Sequence, residues 1–350
     1  MIIEKNEIAT KLRKLKGILT GGRMQESAGI LVKGNSLYAS NIEIGMKAAL
    51  SIENSDEEFV IPKKAIELIE NLPPQMVEIT SEDNHISIKC GSIKNKYQTT
   101  SAGLYPKMES ISESDNHFTI QSGEFQDALN SALYAVSENI TKETLKGILL
   151  EASDGTLNVV GCDGVRIAWS RIDYDGDFKV IVPKATIQKM LSIGISGNMS
   201  FAWDKNSITF RSKEYEVVSR IINGEYFDYK KMFVQYPNET VIDRRKVSEC
   251  FKRAIICGED KNASKSPIKC SFNDDKLCVT LHQSLSEYEE IIPLEVPIAQ
   301  PLDIAFNGRY ILDALNSFIS DNLSVRMGES TQPIIIDDGK QSACVLPVKM

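Results

Sequence analysis

The stretch FKVIVPKATIQKMLSIG, Phe178–Gly194, decides how the rest of the chain is read. An apolar, β-branched run stops at Pro183, and a helical pattern starts directly behind it. The same move occurs at Glu57–Pro73, EEFVIPKKAIELIENLP, and at Pro301–Phe318, PLDIAFNGRYILDALNSF. The turn positions Pro62, Pro183 and Asn307 are separated by 121 and 124 residues, so the 350-residue chain reads as one unit written three times.

Each copy carries the same flanking landmarks. It opens on a short strand and a helix: MIIEKNEIATKLRKLKGIL, FTIQSGEFQDALNSALYAVS and ETVIDRRKVSECFKRAIIC. Its middle alternates apolar and polar residues around a tight turn, at Gly29–Leu50, Gly147–Ile172 and Pro267–Ile292. Period-two alternation around Gly-Asn, Asp-Gly or Asp-Asp predicts hairpins. A second set of hairpins closes each copy. The expected fold class is therefore α+β, with three repeated modules, each of two helices packed on antiparallel sheets. Boundaries in the polar stretches SISESDNH and VQYPNET place the modules at 1–115, 116–238 and 239–350.

Composition is that of a globular protein, 42% hydrophobic and 25% charged. The start MIIEKNEIATKLRK holds no apolar leader, and no stretch is long enough to span a bilayer, so a cytoplasmic location without membrane contact is expected. Cys90, Cys162, Cys250, Cys257, Cys270, Cys278 and Cys344 form no C-x-x-C pair, which points to buried thiols. His85, His117 and His282 have no partners at ligand spacing, so no metal is expected. Phosphate-binding, nucleophile-elbow and metalloprotease motifs are missing too, and neither a catalytic residue nor a cofactor is expected.

The net charge of −8 argues against a tight grip on DNA, yet the average hides two basic helices. Lys5–Lys16 carries five basic residues and one acidic; Asp243–Arg253 carries five and two. On the first, Ile8, Leu12, Leu15 and Leu19 form the apolar stripe, with Arg13 and Lys14 pointing away and Lys11 and Lys16 on the flanks. On the other, Val247, Phe251, Ala254 and Ile255 form the stripe, with Arg244, Arg245 and Lys252 mostly off it. A one-sign helix face in an acidic protein suits a polyanion.

Four stretches then carry a resemblance: GCDGVRIA at Gly161–Ala168, RIINGEYFDYKKMF at Arg220–Phe233, FNGRYILDALNSF at Phe306–Phe318 and the terminal VLPVKM at Val345–Met350. With the early GGR, Gly21–Arg23, their order and spacing resemble the bacterial sliding clamps, the beta subunits of DNA polymerase III. The resemblance implies a non-enzymatic processivity factor: a head-to-tail homodimer whose six modules close into a ring around duplex DNA of any sequence. Two helices per module, spaced about 9–10 Å apart, would line a hole of roughly 26 Å, wide enough for a duplex. Arg23 matches a DNA-contacting position, with Lys142 and Lys146 as companions. Helix faces add Lys11, Arg13, Lys14, Arg244, Arg245, Lys252 and Arg309.

The resemblance also implies a pocket where the DNA polymerase III alpha subunit, the clamp loader and other proteins with a clamp-binding motif dock an apolar peptide. By position it comprises Cys162, Gly164, Val165, Arg166, Ile167, Phe227, Lys231, Met232, Asn307, Tyr310, Pro333, Cys344, Val345, Leu346, Pro347 and Val348. Here Cys162 and Val165 replace the Thr and His of a T-D-G-H-R motif, and Phe227 replaces the Pro of F-P-D-Y, making the pocket greasier. Those departures also admit a divergent paralogue with altered peptide preference. At the dimer edge, Lys94 and Lys96 beside Tyr97 are expected to meet Glu287, Glu289 and Glu290 of the partner, around Ile256 and Cys257.

Overall fold

The computed structural model describes residues 1–19, 29–41, 43–52, 56–106, 108–111, 116–258 and 267–349. Each of the three quoted stretches folds as a strand and a helix. Glu58–Pro62 leads into α2 (Lys63–Asn71), Phe178–Pro183 into α4 (Lys184–Ser192) and Leu302–Phe306 into α6 (Gly308–Ser317). The opening helices are α1 (Lys5–Lys16), α3 (Ser122–Leu133) and α5 (Arg244–Cys257). Asn307 caps α6 by accepting the Arg309 N–H at 3.0 Å, and Asp243 caps α5 by accepting the Lys246 N–H at 3.0 Å. Helix α1 stops at Lys16, so Leu19 lies beyond it and the buried stripe is Ile8, Leu12 and Leu15.

Two compact units form, Met1–Gly123 with Ala185–Ile221, and Glu124–Lys184 with Ile222–Met350. The first holds a four-stranded sheet in the order Ile2–Glu4, Met76–Glu82, His85–Cys90, Ile93–Gln98. It also holds an eight-stranded sheet: Glu58–Pro62, Gly29–Lys33, Ser36–Ser40, Ile44–Ala49, Tyr215–Arg220, Ser207–Arg211, Asn198–Trp203, His117–Gln121. The second unit repeats this. Its eight strands run Phe178–Pro183, Gly147–Ser153, Thr156–Cys162, Arg166–Asp173, Gln341–Val345, Ile334–Asp337, Asn322–Met327, Asn238–Asp243. Its four run Glu287–Pro293, Lys276–His282, Ile268–Asn273, Leu302–Phe306. The strand pairs are antiparallel throughout the described residues.

These orders reduce to six half-sheets of two kinds. In one kind, a strand that leads into an opening helix is followed by three hairpin strands. In the other, three hairpin strands are followed by the strand that leads into α2, α4 or α6. An eight-stranded sheet is one half of each kind joined at the edge. The joints are Ile44–Ala49 against Tyr215–Arg220 and Arg166–Asp173 against Gln341–Val345. Among the described residues two halves remain unjoined, with free edges at Ile93–Gln98 and Glu287–Pro293. Hairpin turns behave as their residues dictate: Asp154 and Gly155 have φ of 53° and 75°, the pair of positive angles that a two-residue turn requires.

Helices α1 and α2 pack together, as do α5 and α6. Beneath the latter pair lies a core of Phe251, Phe306, Ile311, Leu315, Val325 and Ile336. In the first unit, two lysines tie helix ends to each other. Lys14 Nζ donates to the Ile193 carbonyl at 2.6 Å, just past α4, while Lys189 Nζ of α4 donates to the Lys14 carbonyl in the last turn of α1. Both carbonyls sit at the negative end of a helix macrodipole, where a cation is favoured. Burial lowers the Lys189 pKa, which leaves the ammonium dependent on that contact. Replacing Lys189 with Met is expected to cost about 1–3 kcal/mol and lower the melting temperature, because a charged hydrogen bond is lost. Arg13→Met, on the exposed face of the same helix, should leave thermal unfolding unchanged.

Candidate functional site

Three neighbouring strands of the second unit build the site. Cys162 lies opposite Ile167, and Ile167 opposite Cys344, so the three side chains form one row across Thr156–Cys162, Arg166–Asp173 and Gln341–Val345. The turn between the first two is held by Asp163, whose Oδ1 accepts the N–H groups of Val165 and Arg166, each at 3.1 Å. Gly164 stands there at φ 89°, where a side chain would be strained. Beyond Val345 the chain stays extended: Leu346 N–H donates to Val165 O at 2.9 Å and Val348 N–H to Ala305 O at 2.8 Å.

A second segment forms the opposite wall. Phe227 stacks on the buried Tyr226 ring at 5.1 Å, and Met232 closes the short 3₁₀ turn Tyr229–Met232. Between wall and strands is a cavity of about 210 Å³, its floor and sides largely apolar. Of the residues assigned to the pocket from sequence, Cys162, Gly164, Val165, Arg166, Ile167, Phe227, Met232, Cys344 and Leu346 line it. Sequence reasoning missed Leu145 and placed Lys142 elsewhere, yet both line the cavity. Their signal was sequence distance alone: the segment before Gly147 has to pass beside the same strands. Burial pushes the Cys162 thiol up to about 11 and the Cys344 thiol up to about 12, so both stay protonated and act as apolar surface at neutral pH.

The remaining pocket residues support the cavity or stand outside it. Arg166 also anchors it from behind. Its Nε donates to Asp163 at 2.9 Å, one Nη to Asp313 of α6 at 2.8 Å and the other to the Tyr134 carbonyl at 3.0 Å. The guanidinium lies against the Tyr134 and Tyr310 rings, at 5.1 and 4.5 Å. Burial would lower the Arg166 pKa, but the two aspartates overcome it and leave the pKa raised. Asn307 is engaged as the α6 cap, Val345 is fully buried in the sheet and Lys231 pairs on the surface with Asp228 at 3.0 Å. Pro333, Pro347 and Val348 are half-buried beside these elements.

Among the candidate DNA contacts, Lys11 departs from its expected flank position. It is 8% exposed, its Nζ donating to the Ala49 carbonyl and to Glu7, because the helix turns that flank onto the sheet. Lys14 is spent on the helix-end contact described above. Arg244 donates to Ser320 O at 2.8 Å, Arg245 pairs with Asp321 at 3.0 Å and Lys146 with Glu143 at 2.5 Å. Arg13, Lys252 and Arg309 are exposed. Arg23 lies outside the described residues. Of the edge candidates, Lys94, Lys96 and Tyr97 lie on the free strand Ile93–Gln98, and Glu287, Glu289 and Glu290 on the free strand Glu287–Pro293. Glu290 is held by Arg253 at 2.6 and 2.9 Å, and Glu287 faces His282 Nδ1 at 3.0 Å. At the end of α5, Ile256 is 81% exposed and Cys257 half-buried.

The site is an apolar cavity with an ordered rim, a surface suited to apolar groups. Comparisons with known proteins identify the family. The family model for the DNA polymerase III beta subunit central domain matches residues 119–228, and that for its C-terminal domain matches 235–349. The beta sliding clamp of Vibrio cholerae is 22% identical over 99% of this chain and 99% of its own. The DNA polymerase III subunit beta structure from Pseudomonas aeruginosa is 21% identical over 100% of both chains, with a TM-score of 0.92. The beta subunit from DNA polymerase of Streptococcus pyogenes is 16% identical over 100% of this chain and 99% of its own, also at 0.92. The chain belongs to the DNA polymerase III beta subunit family. It is a sliding clamp of DNA replication, a processivity factor rather than an enzyme.

The wall of the cavity has a pH-sensitive support. Glu151 accepts from Tyr229 at 2.8 Å and pairs with Lys179 at 2.8 Å. Burial pushes its pKa up, but the hydrogen bonds from Lys179 and Tyr229 and the charges of Lys179 and Lys230 prevail, and the pKa is lowered. A lowered carboxylate pKa stabilises the fold above the ordinary value of 4.5, and that contribution is lost as pH falls through the shifted pKa. Resistance to denaturant should therefore fall below about pH 4.5, and Glu151→Gln should make that acid limb shallower.

Proposed function

We propose that two copies of this chain join head to tail into a closed ring that encircles duplex DNA. The ring would tether the DNA polymerase III alpha subunit, the clamp loader and other peptide-bearing partners through the cavity at Cys162, Ile167 and Cys344. The three modules would span 1–115, 116–238 and 239–350, and the protein would work in the cytoplasm, where replicating DNA lies. The observation that carries this is the count of joints. Each internal joint pairs a half-sheet of one module with a half-sheet of the next. The two unjoined edges, Ile93–Gln98 and Glu287–Pro293, are the counterparts of strands already paired at the internal joints. A second copy supplies the missing partner for each, and two such joints close six modules.

The edges are chemically suited to each other. Lys94 and Lys96 stand on one, Glu287 and Glu289 on the other. Large apolar groups lie exposed along the acidic edge and its neighbours, Ile291 at 58%, Leu285 at 88% and Ile256 at 81%. A monomer leaving such strands open would present aggregation sites. Within the ring, Arg13, Lys252 and Arg309 are the strongest candidates for DNA, joined by Arg245, Lys146 and Arg23. Lys11, Lys14 and Arg244 serve the fold first. A ring is retained by topology, so few mobile phosphate contacts suffice, and a net charge of −8 limits binding elsewhere.

Light scattering over a dilution series should give a mass twice that of the 39.0 kDa chain. A mass equal to one chain would overturn the ring. The double variant Glu287→Lys, Glu289→Lys should be monomeric, and adding Lys94→Glu, Lys96→Glu in the same chain should restore the dimer. Leu346→Asp should abolish binding of an apolar peptide while leaving the dimer intact; unchanged peptide affinity would refute the cavity as the docking site.

A further inference from the structure

We infer that a second cavity, between α3 and α6, binds a linear polyamine whose ammonium groups take the places that two lysines hold at the first joint. There, where Ile44–Ala49 meets Tyr215–Arg220, two lysines of α1 cross to neighbouring elements. Lys11 Nζ donates to the Ala49 carbonyl and to Glu7 at 3.4 Å, and stands 4.0 Å from Glu214. Lys14 Nζ donates to the Ile193 carbonyl at 2.6 Å and lies 4.9 Å from the centre of the Tyr215 ring. Counted from the first residue of each helix, Lys11 and Lys14 correspond to Ala128 and Ser131 of α3, and Glu7 to Glu124. Ile193, just past α4, corresponds to Ser317 of α6. The ladder pairs Arg211 with Glu216 and Asp337 with Ser342 make Lys340 and Gln341 the counterparts of Glu214 and Tyr215. All six counterparts, Glu124, Ala128, Ser131, Ser317, Lys340 and Gln341, line one cavity of about 310 Å³. It is the space that two lysine side chains fill at the first joint.

The surroundings still suit a cation. Glu124 keeps the carboxylate of the first joint, and the exposed Asp127 adds another at the rim. Neither α3 nor α6 carries a basic residue in its last turn, whereas α1 ends with Arg13, Lys14 and Lys16. The negative end of a helix dipole favours a positive charge. Ser131 is too short to cross and bonds with Ser170 at 2.5 Å, while Gln341 donates to Ser317 at 2.6 Å. Of the two cations that line the cavity, Arg171 is bonded to Ser342 and to the Gly339 carbonyl. The Lys340 side chain is 85% exposed and its Nζ lies 3.9 Å from Glu124, so it competes weakly. A polyamine carries what the two lysines supplied, ammonium groups joined by methylenes, and the methylenes can lie against Ala128 and Ile319.

The test titrates spermidine into the full-length protein by calorimetry at moderate salt. One saturable site per chain is expected, and butylamine, with a single ammonium, should bind about 5-fold more weakly. Ala128→Lys with Ser131→Lys returns the lysines of the first joint and should abolish the site. Glu124→Gln, at an exposed position, should weaken spermidine about 3–5-fold and decides the matter should the double variant not fold. Asp177→Lys makes the same change in net charge as the double variant, on the surface outside the cavity, and should leave binding unaltered. Binding that does not saturate, butylamine binding as well as spermidine, unaltered affinity in the double variant or in Glu124→Gln, or an equal loss in Asp177→Lys would each overturn the site.

Discussion

The structure depends on one constraint: backbone N–H and C=O groups that burial takes from water have to be paired in a ladder. Four of the six half-sheets are extended by another in this way. Inside the chain this happens at Ile44–Ala49 with Tyr215–Arg220 and at Arg166–Asp173 with Gln341–Val345. At those two places strands far apart in sequence share a ladder, and the compact units form around them. The unit boundaries therefore do not follow the sequence repeat. Residues 124–184 belong with the end of the chain, and 185–221 with its beginning.

A joint also creates a place where side chains from distant segments meet. At the second joint the meeting is reinforced by Arg166, which draws in Asp163 of its own turn, the Tyr134 carbonyl behind α3 and Asp313 of α6. A buried guanidinium with two carboxylates and two aromatic faces is satisfied only if all these elements keep their places. The floor of the cavity is the other face of the same strand. Cavity and scaffold are thus coupled through a single residue pair in the sequence, Arg166 and Ile167.

Much of this was legible beforehand. The three strand–turn–helix stretches and the hairpins follow from periodicity and turn residues, which are properties of neighbouring residues, whereas the pocket residues came only from what the family resemblance implies. What stayed hidden depended on long-range geometry. A helical wheel places Lys11 on a flank but does not show that the flank rests on the sheet. It shows Lys14 pointing away from the stripe, yet not that the Ile193 carbonyl waits there. Lys142 and Leu145 looked like loop residues because the wall they complete is built from segments more than eighty residues downstream of them. Charge sign could be read from the sequence, whereas the partner of each charge required the fold.

The two internal joints differ in a way that explains where the cavity lies. Counting along the ladders, Ser40 opposite Gly45, with Gly45 opposite Val218, corresponds to Cys162 opposite Ile167, with Ile167 opposite Cys344. At the first joint the counterpart of Ile167 is a glycine, and a Cβ there would stand only 3.0 Å from the Met108 side chain. The segment around Met108 is fastened down as well. Ser40 Oγ donates to Pro106 O, Ile111 N–H donates to Thr209 Oγ1 at 3.0 Å, and Arg211 donates to Ile111 O. The chain itself therefore covers the first joint. At the second, the corresponding segment turns aside at Tyr229, held by Glu151, and leaves the row Cys162, Ile167 and Cys344 open. The repeated architecture leaves this cavity at the second joint because a glycine and a methionine fill the first, while bulkier strand residues and a diverted segment keep the second open.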